Sequence, residues 1–310
     1  MTKIIFYPNR GGLGDSIVGC SSCFILSKVL DLKFEIANGL VKFYNYFDII
    51  EDYKCKKENF INYNYEPNEE NDKLFMYSDL NIFKKCDIHL TSGSNFSRFI
   101  YKNNNFKNKI NIKETDVINY LFKNILIPKK QYLEKLNYYI KKYDIKNLVG
   151  IQLRMLEFVN LKDNSNPLDI KTIDRFIECF KQISNNNKIL LCTDNLSITK
   201  NFFTNNGIEV INIDGNITHS INQKSDYEKT LLDMLLLGEC KSVIISYWSN
   251  FGRIAVLRKL HSDYWLIEPE FKYPRINKLR QWRDTNDPDV IEFRKGNLDE
   301  ILSKESSKII

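Results

Sequence analysis

At 310 residues with 43% hydrophobic side chains, the chain is long enough for about two domains with ordinary cores. Its 45 basic and 39 acidic residues leave a net charge of +6 spread along the sequence. That balance gives no reason to expect nucleic acid as a partner and favours an anionic small partner such as a nucleotide.

In chain order, Ile4 to Tyr7 is a short β run, followed by NRGGLGDSIVG and a mostly apolar helix from Ile17 to Leu30. The glycine turn fails as a Walker loop, because Asp15 and Ser16 follow Gly14 where Lys and Ser or Thr are required. It also fails as a dinucleotide fingerprint, since Ile17 stands where the third glycine belongs. Gly11, Gly12 and Gly14 still permit close backbone approach, and a helix starting near Asp15 presents N–H groups suited to a phosphate or a sugar. A tight βα turn without a ligand fits the same residues.

Phe34 to Ala37 reads as a second strand, Phe43 to Asn71 has no clear period, and Ile88 to Leu90 is a short strand. Val117 to Phe122 and Tyr132 to Tyr143 read as helices. From Leu148 the texture changes to clear alternation. LVGIQLR, KILLCTDN, IEVINI, SVIISY and YWLIEP are strands, separated by helices at Ile170 to Ser184, Ile198 to Asn206, Lys224 to Cys240 and Asn250 to Leu260. Such alternation implies a parallel sheet covered by helices. The expected fold class is therefore α/β, with two Rossmann-like domains facing across a cleft. The expected boundaries are 1–145 for an acceptor-side domain, 146–272 for a nucleotide-sugar domain and 273–310 for a tail whose Leu298 to Leu302 could return to the first domain. No run approaches the ~18 apolar residues of a membrane span, and no signal segment is expected.

In open parallel sheets ligands sit beyond the carboxyl ends of the strands, which directs attention to NRGGLGD, QLRMLE, CTDN and SYWSNFG. Arg154 ends a buried-type strand, where its planar fork suits a diphosphate; an ion pair with Glu157 or Asp163 is the competing use. Thr193 and Asp194 can meet a ribose or base, or cap the next helix. Ser246, Ser249 and Asn250, with Trp248 and Phe251 between them, make a phosphate cradle or an N-cap packed by a tryptophan. The seven cysteines, odd in number and mostly in apolar runs, read as buried thiols of a cytoplasmic protein; Cys20 and Cys23 form a C-x-x-C without a second half to complete a zinc set. No metal or cofactor site is expected.

VGIQLRM, LLCTDN and DMLLLGECKSVIISYWSNFGRIAVL, in that order, resemble the fucosyltransferase superfamily, most closely the plant xyloglucan enzymes with their G-x-Q-x-R and W-S-x-F-G motifs. GGLGDSIVGCSSCF is similar to the N-terminal glycine loop of that superfamily, which includes the bacterial nodulation fucosyltransferases. The resemblance implies an inverting, metal-independent transferase with the two-Rossmann GT-B architecture, GDP-fucose as donor and a glycan or glycoconjugate as acceptor. It implies that Arg154, with Gln152 in the same motif, contacts the diphosphate, that Ser249, Asn250 and Phe251 hold phosphates, and that Asp194 lies by the guanosine. Gly11, Gly12 and Gly14 would close over the donor. Asp15, Glu157 and Asp163 are candidates for the base that activates the acceptor hydroxyl, Asp15 competing as a helix N-cap and Glu157 as an ion-pair partner of Arg154. A heptosyltransferase-like enzyme, transfer of another nucleotide-linked sugar such as xylose or rhamnose, and a nucleotide-sugar-binding protein without turnover are the alternatives. Arg275, Arg280 and Arg283 could give the tail peripheral contact with anionic lipid.

Overall fold

The computed structural model describes residues 2–8, 12–55, 61–64, 69–84, 88–92, 96–154, 170–215, 227–246, 249–267 and 294–295. Gly11, Glu157, Asp163, Trp248, Leu298 to Leu302 and the three tail arginines named above lie outside them. Among the described residues one compact unit runs to residue 134 and takes back 227–231; the other holds 135–215, 232–267 and 294–295.

The first unit contains β1 (Lys3–Phe6), α1 (Leu13–Leu30), β2 (Lys33–Ile36), α2 (Phe43–Tyr46), β3 (Phe47–Ile49), β4 (Ile61–Asn64), α3 (Glu69–Tyr77), β5 (Ile88–Thr91), α4 (Ser97–Lys102), α5 (Val117–Asn124), β6 (Leu126–Pro128) and the start of α6 (Lys130–Tyr143). Its main sheet has the order β2-β1-β5-β4 and is parallel throughout, while β3 and β6 form a separate antiparallel pair. Helix α1 is its central element, with only Asp15 and Lys28 reaching solvent. By length and composition α1 is long and apolar enough to cross a membrane, which corrects the expectation that no run approaches that size; 89% of it is buried inside the protein. The reason lies in its serines. Ser21 and Ser27 return their hydroxyls to the carbonyls of Val18 and Phe24, both at 2.7 Å, so residues that look polar in the sequence enter the core satisfied.

The second unit contains β7 (Val149–Leu153), α7 (Ile170–Ile183), β8 (Lys188–Thr193), α8 (Leu196–Asn205), β9 (Glu209–Ile211), the greater part of α9 (Glu228–Leu237), β10 (Ser242–Ser246), α10 (Asn250–Lys259), β11 (Tyr264–Ile267) and β12 (Arg294–Lys295). The sheet order is β12-β11-β10-β7-β8-β9, parallel except for β12, which pairs antiparallel with β11. Strands β7, β8 and β10 are buried along nearly their whole length, as expected of strands covered on both faces. Alternation sends Val149, Ile151 and Leu153 into a core with Ile173, Phe176, Ile177 and Phe180 of α7 and Phe203 of α8. Gly150 and Gln152 face the other way. A Cβ on Gly150 would press on Leu237 and Cys240, and one on Gly252 of α10 would meet Gln152 Oε1 at 2.8 Å and Ile245 at 2.9 Å. Chain order runs outward from β7 to β9 on one side and from β10 to β11 on the other, so the direction of winding reverses between β7 and β10.

Candidate functional site

In open parallel sheets ligands bind beyond the carboxyl ends of the strands at a winding reversal, and the described donor residues of the second unit lie at the ends of β7, β8 and β10 and the start of α10. The two strands are in register up to Gln152 and Ile245. Beyond that point, side chains complete the pairing. The Ser246 N–H donates to Gln152 Oε1 at 3.3 Å, the Ser246 hydroxyl donates to the Gln152 carbonyl at 3.3 Å, and the Arg154 N–H donates to that hydroxyl at 3.0 Å. Gln152 and Ser246 are both 4% exposed, so these bonds lie in the interior.

Arg154 leaves β7 with its side chain one-third exposed, and its guanidinium pairs with the buried carboxylate of Asp194 at 3.1 Å. Two residues read separately from the sequence are therefore partners, drawn together by the β7 and β8 register of Leu153 with Thr193. The competing reading put Asp194 at the N-cap of α8, but Asp194 stands two residues before Leu196, the first of that helix. Asn195 occupies that place, its carbonyl accepting the Thr199 N–H at 3.3 Å, while Thr193 Oγ1 accepts the Asn195 N–H at 3.2 Å and closes the turn. The ion pair of Arg154 with Glu157 or Asp163 falls outside the described residues.

Ser249 occupies the N-cap of α10 with extended backbone, its N–H bound to the Ser246 carbonyl at 3.0 Å and its carbonyl to the Arg253 N–H at 3.1 Å. Its hydroxyl does not cap the helix. Asn250, Phe251 and Gly252 are the first three residues of α10, where backbone N–H groups have no intrahelical acceptor. Gly252 was missed as a site residue in the sequence, although its place in W-S-N-F-G was visible. Only glycine lets α10 approach Gln152 and Ile245 this closely, which brings the helix N-terminus to the end of β10.

In the first unit, the glycine turn follows β1, whose sheet neighbours β2 and β5 mark the same kind of reversal. Gly12 is the N-cap of α1, and Asp15, at the third helical position rather than the cap, accepts the Gly12 N–H at 3.3 Å. Its expected competition as an N-cap is thus corrected in position: it acts from inside the first turn, as the acidic member of a capping box does. The helix itself starts at Leu13, two residues before the expected Asp15. Gly14 is buried. Close packing of helix on strand, which the missing third glycine would have supplied, is provided further along by Gly19: a Cβ there would lie 1.8 Å from the Ser92 carbonyl oxygen. Cys20 and Cys23 are fully buried in α1, and burial pushes both thiols far above their usual range. Cys179 is pushed up to about 12 by the same cause.

Each unit is thus an α/β layer built on a parallel sheet with its winding reversal, and together they define the two-Rossmann class known as GT-B. Among solved structures, the chain is similar to a mutant of Arabidopsis thaliana FUT1 in complex with GDP, with a TM-score of 0.63 and 14% identity over 87% of this chain and 71% of that one. It is similar to NodZ alpha-1,6-fucosyltransferase soaked with GDP-fucose, with a TM-score of 0.58 and 14% identity over 86% of this chain and 95% of the other. The fucosyltransferase NodZ from Bradyrhizobium matches with a TM-score of 0.57 at 14% identity, over the same shares. No protein-family model and no curated protein sequence matches the chain.

Proposed function

We propose that the protein is a glycosyltransferase that transfers fucose from GDP-fucose to a glycan or glycoconjugate acceptor in the cytoplasm, with inversion and without a metal ion. The observation that carries this reading is Arg154, held by Asp194 at the winding reversal of the second sheet, beside the N-terminus of α10. A permanently charged fork and a set of backbone N–H groups complement a diphosphate, and the arginine supplies the charge neutralisation for which other transferases use a cation. As the bond from sugar to diphosphate breaks, negative charge grows on the departing GDP, and a group already fixed in place stabilises that charge without reorganising. The fold shared with proteins solved in complex with GDP and soaked with GDP-fucose supports the choice of nucleotide. Inversion follows from direct attack of the acceptor hydroxyl on the anomeric carbon, its proton passing to a carboxylate. Asp15, Glu157 and Asp163 are the candidate bases, and Asp15 is half-buried and accepts the Gly12 N–H.

A thermal-shift panel of GDP, UDP, ADP and their sugars tests the donor. GDP and GDP-fucose raise the melting temperature and the other nucleotides do not, since a ligand of the native state stabilises it by mass action. Arg154→Ala and Arg154→Lys keep the circular dichroism spectrum and lose transfer by about 100-fold to 1000-fold, because a point charge does not replace the fork. Absence of any shift with GDP defeats the donor assignment. A wild-type protein that binds GDP and never turns over GDP-fucose defeats the catalytic one.

A further inference from the structure

We propose that Ser246 is a positioning residue that acts through Arg154, rather than a group that touches the donor. This inference rests on the nucleotide reading of the Arg154 site. The sequence places Ser246 among the donor contacts, but its hydroxyl is occupied within the protein. It gives its hydrogen to the Gln152 carbonyl at 3.3 Å and receives the Arg154 N–H at 3.0 Å, and the residue is 4% exposed. A hydroxyl has one hydrogen to donate, so Ser246 has none left for a phosphate oxygen.

What those bonds accomplish follows from where they fall. Backbone pairing of β7 with β10 reaches Gln152 and Ile245, and one residue later the two chains leave in different directions, toward Arg154 and toward α10. A continued ladder would keep the strands side by side. The strands part, and the backbone groups that the ladder would have used are met by side chains: the Ser246 N–H by Gln152 Oε1, the Gln152 carbonyl and the Arg154 N–H by the Ser246 hydroxyl. Because the Ser246 N–H can bond only to an acceptor, the Gln152 carboxamide has its oxygen toward β10, which fixes its orientation. Arg154 is consequently held at both ends, its backbone by Ser246 and its guanidinium by Asp194. The same serine carbonyl receives the Ser249 N–H at 3.0 Å, so the residue that seats Arg154 also seats the N-cap of α10. One side chain and its carbonyl thereby fix the spacing between the cation and the helix N-terminus.

The test uses the intact chain with Ser246→Ala, the hydroxyl-retaining Ser246→Thr, and Arg154→Ala, alone and combined with Ser246→Ala. Without nucleotide, amide hydrogen exchange at Arg154 rises at least tenfold in Ser246→Ala and stays near the wild-type rate in Ser246→Thr; an unchanged rate in Ser246→Ala overturns the anchor. With GDP titrated calorimetrically, Ser246→Ala weakens binding about tenfold, the worth of roughly one net hydrogen bond, in the wild-type background and by less than twofold in the Arg154→Ala background. Equal losses in the two backgrounds show that Ser246 meets the nucleotide itself and overturn the positioning role. A wild-type protein that does not bind GDP overturns the donor reading and the functional half of this proposal, and the exchange result then stands or falls by itself.

Discussion

At the scale of single residues, two glycines separate the causes for which glycine is needed. A Cβ on Gly19 would lie 1.8 Å from the Ser92 carbonyl oxygen, a backbone atom that cannot swing aside, whereas Gly207 has φ +75° with nothing within 4 Å of a Cβ. Gly19→Ala must push α1 off the first sheet and is expected to cost about 3 kcal/mol or more, the upper range for overfilling a packed interior. Gly207→Ala meets only the left-handed backbone and costs about 1 to 2 kcal/mol. Chemical denaturation of both variants measures the order, and a Gly19 variant no less stable than the Gly207 variant contradicts it. The sequence showed glycines near the first turn but could not say which one touched another element, since contact distance is a tertiary property. Arg154 and Asp194 were each legible for the same reason that Gly19 was not: a polar residue ending an apolar run announces a strand end by itself. That they are partners required the register of β7 on β8.

At the scale of elements, the pair β1 and β2 carries a charge arrangement that sets an acid limit. Lys3 and Lys33 stand opposite each other in register, and Glu35, two residues along on the same face as Lys33, accepts from Lys3 at 2.7 Å and from Lys33 at 3.1 Å. Burial pushes the Glu35 carboxyl up, but the hydrogen bonds and charges of the two lysines outweigh it and hold it below the usual glutamate range. A carboxyl lowered on folding stabilises the native state above its unfolded value, about 4.3, and that contribution disappears as pH falls through the lower folded value. The melting temperature of the wild type is expected to fall more steeply below pH ~4.3 than that of Glu35→Gln, which lacks the titrating group. Parallel curves for the two proteins rule out this carboxylate as the cause. Strand β1 was readable as an apolar run and β2 by the alternation of Phe34 and Ile36 with charged residues, both beside a clear helix. By contrast β3 and β6 have three residues each, too few to show a period of two, and β4 reads INYN, whose asparagines look like a loop. Strand β12 precedes the Leu298 to Leu302 segment read as a return to the first domain, and it pairs with β11 in the second unit, a choice of partner that no local pattern encodes.

At the scale of the whole molecule, the division of the chain is not the division of the sequence. The sequence suggested a boundary near residue 145 and a tail that could return to the first domain; residues 227–231, deep inside the alternating second half, also group with the first unit. Their attachment is specific: the Tyr227 N–H donates to the Tyr46 hydroxyl at 2.9 Å, and the Tyr227 ring meets the Tyr46 ring edge-on with centroids 6.1 Å apart. Tyr227 is 5% exposed, so removing its ring leaves a cavity in the first unit, with an expected cost of about 3 to 5 kcal/mol by analogy with other large aromatic deletions. On the proposed donor reading, GDP at the Arg154 site of the second unit should add about 2.7 kcal/mol to that unit when present at 100 times its dissociation constant. The two perturbations therefore act on different units of one chain. In differential scanning calorimetry, Tyr227→Ala is expected to bring a low-temperature transition out of the wild-type profile, assigned to the first unit by loss of exchange protection in α1, and GDP is expected to raise the remaining transition. A single transition that moves as a whole under both perturbations would mean that the units unfold together, and that the segment returning at Tyr227 ties them into one cooperative body.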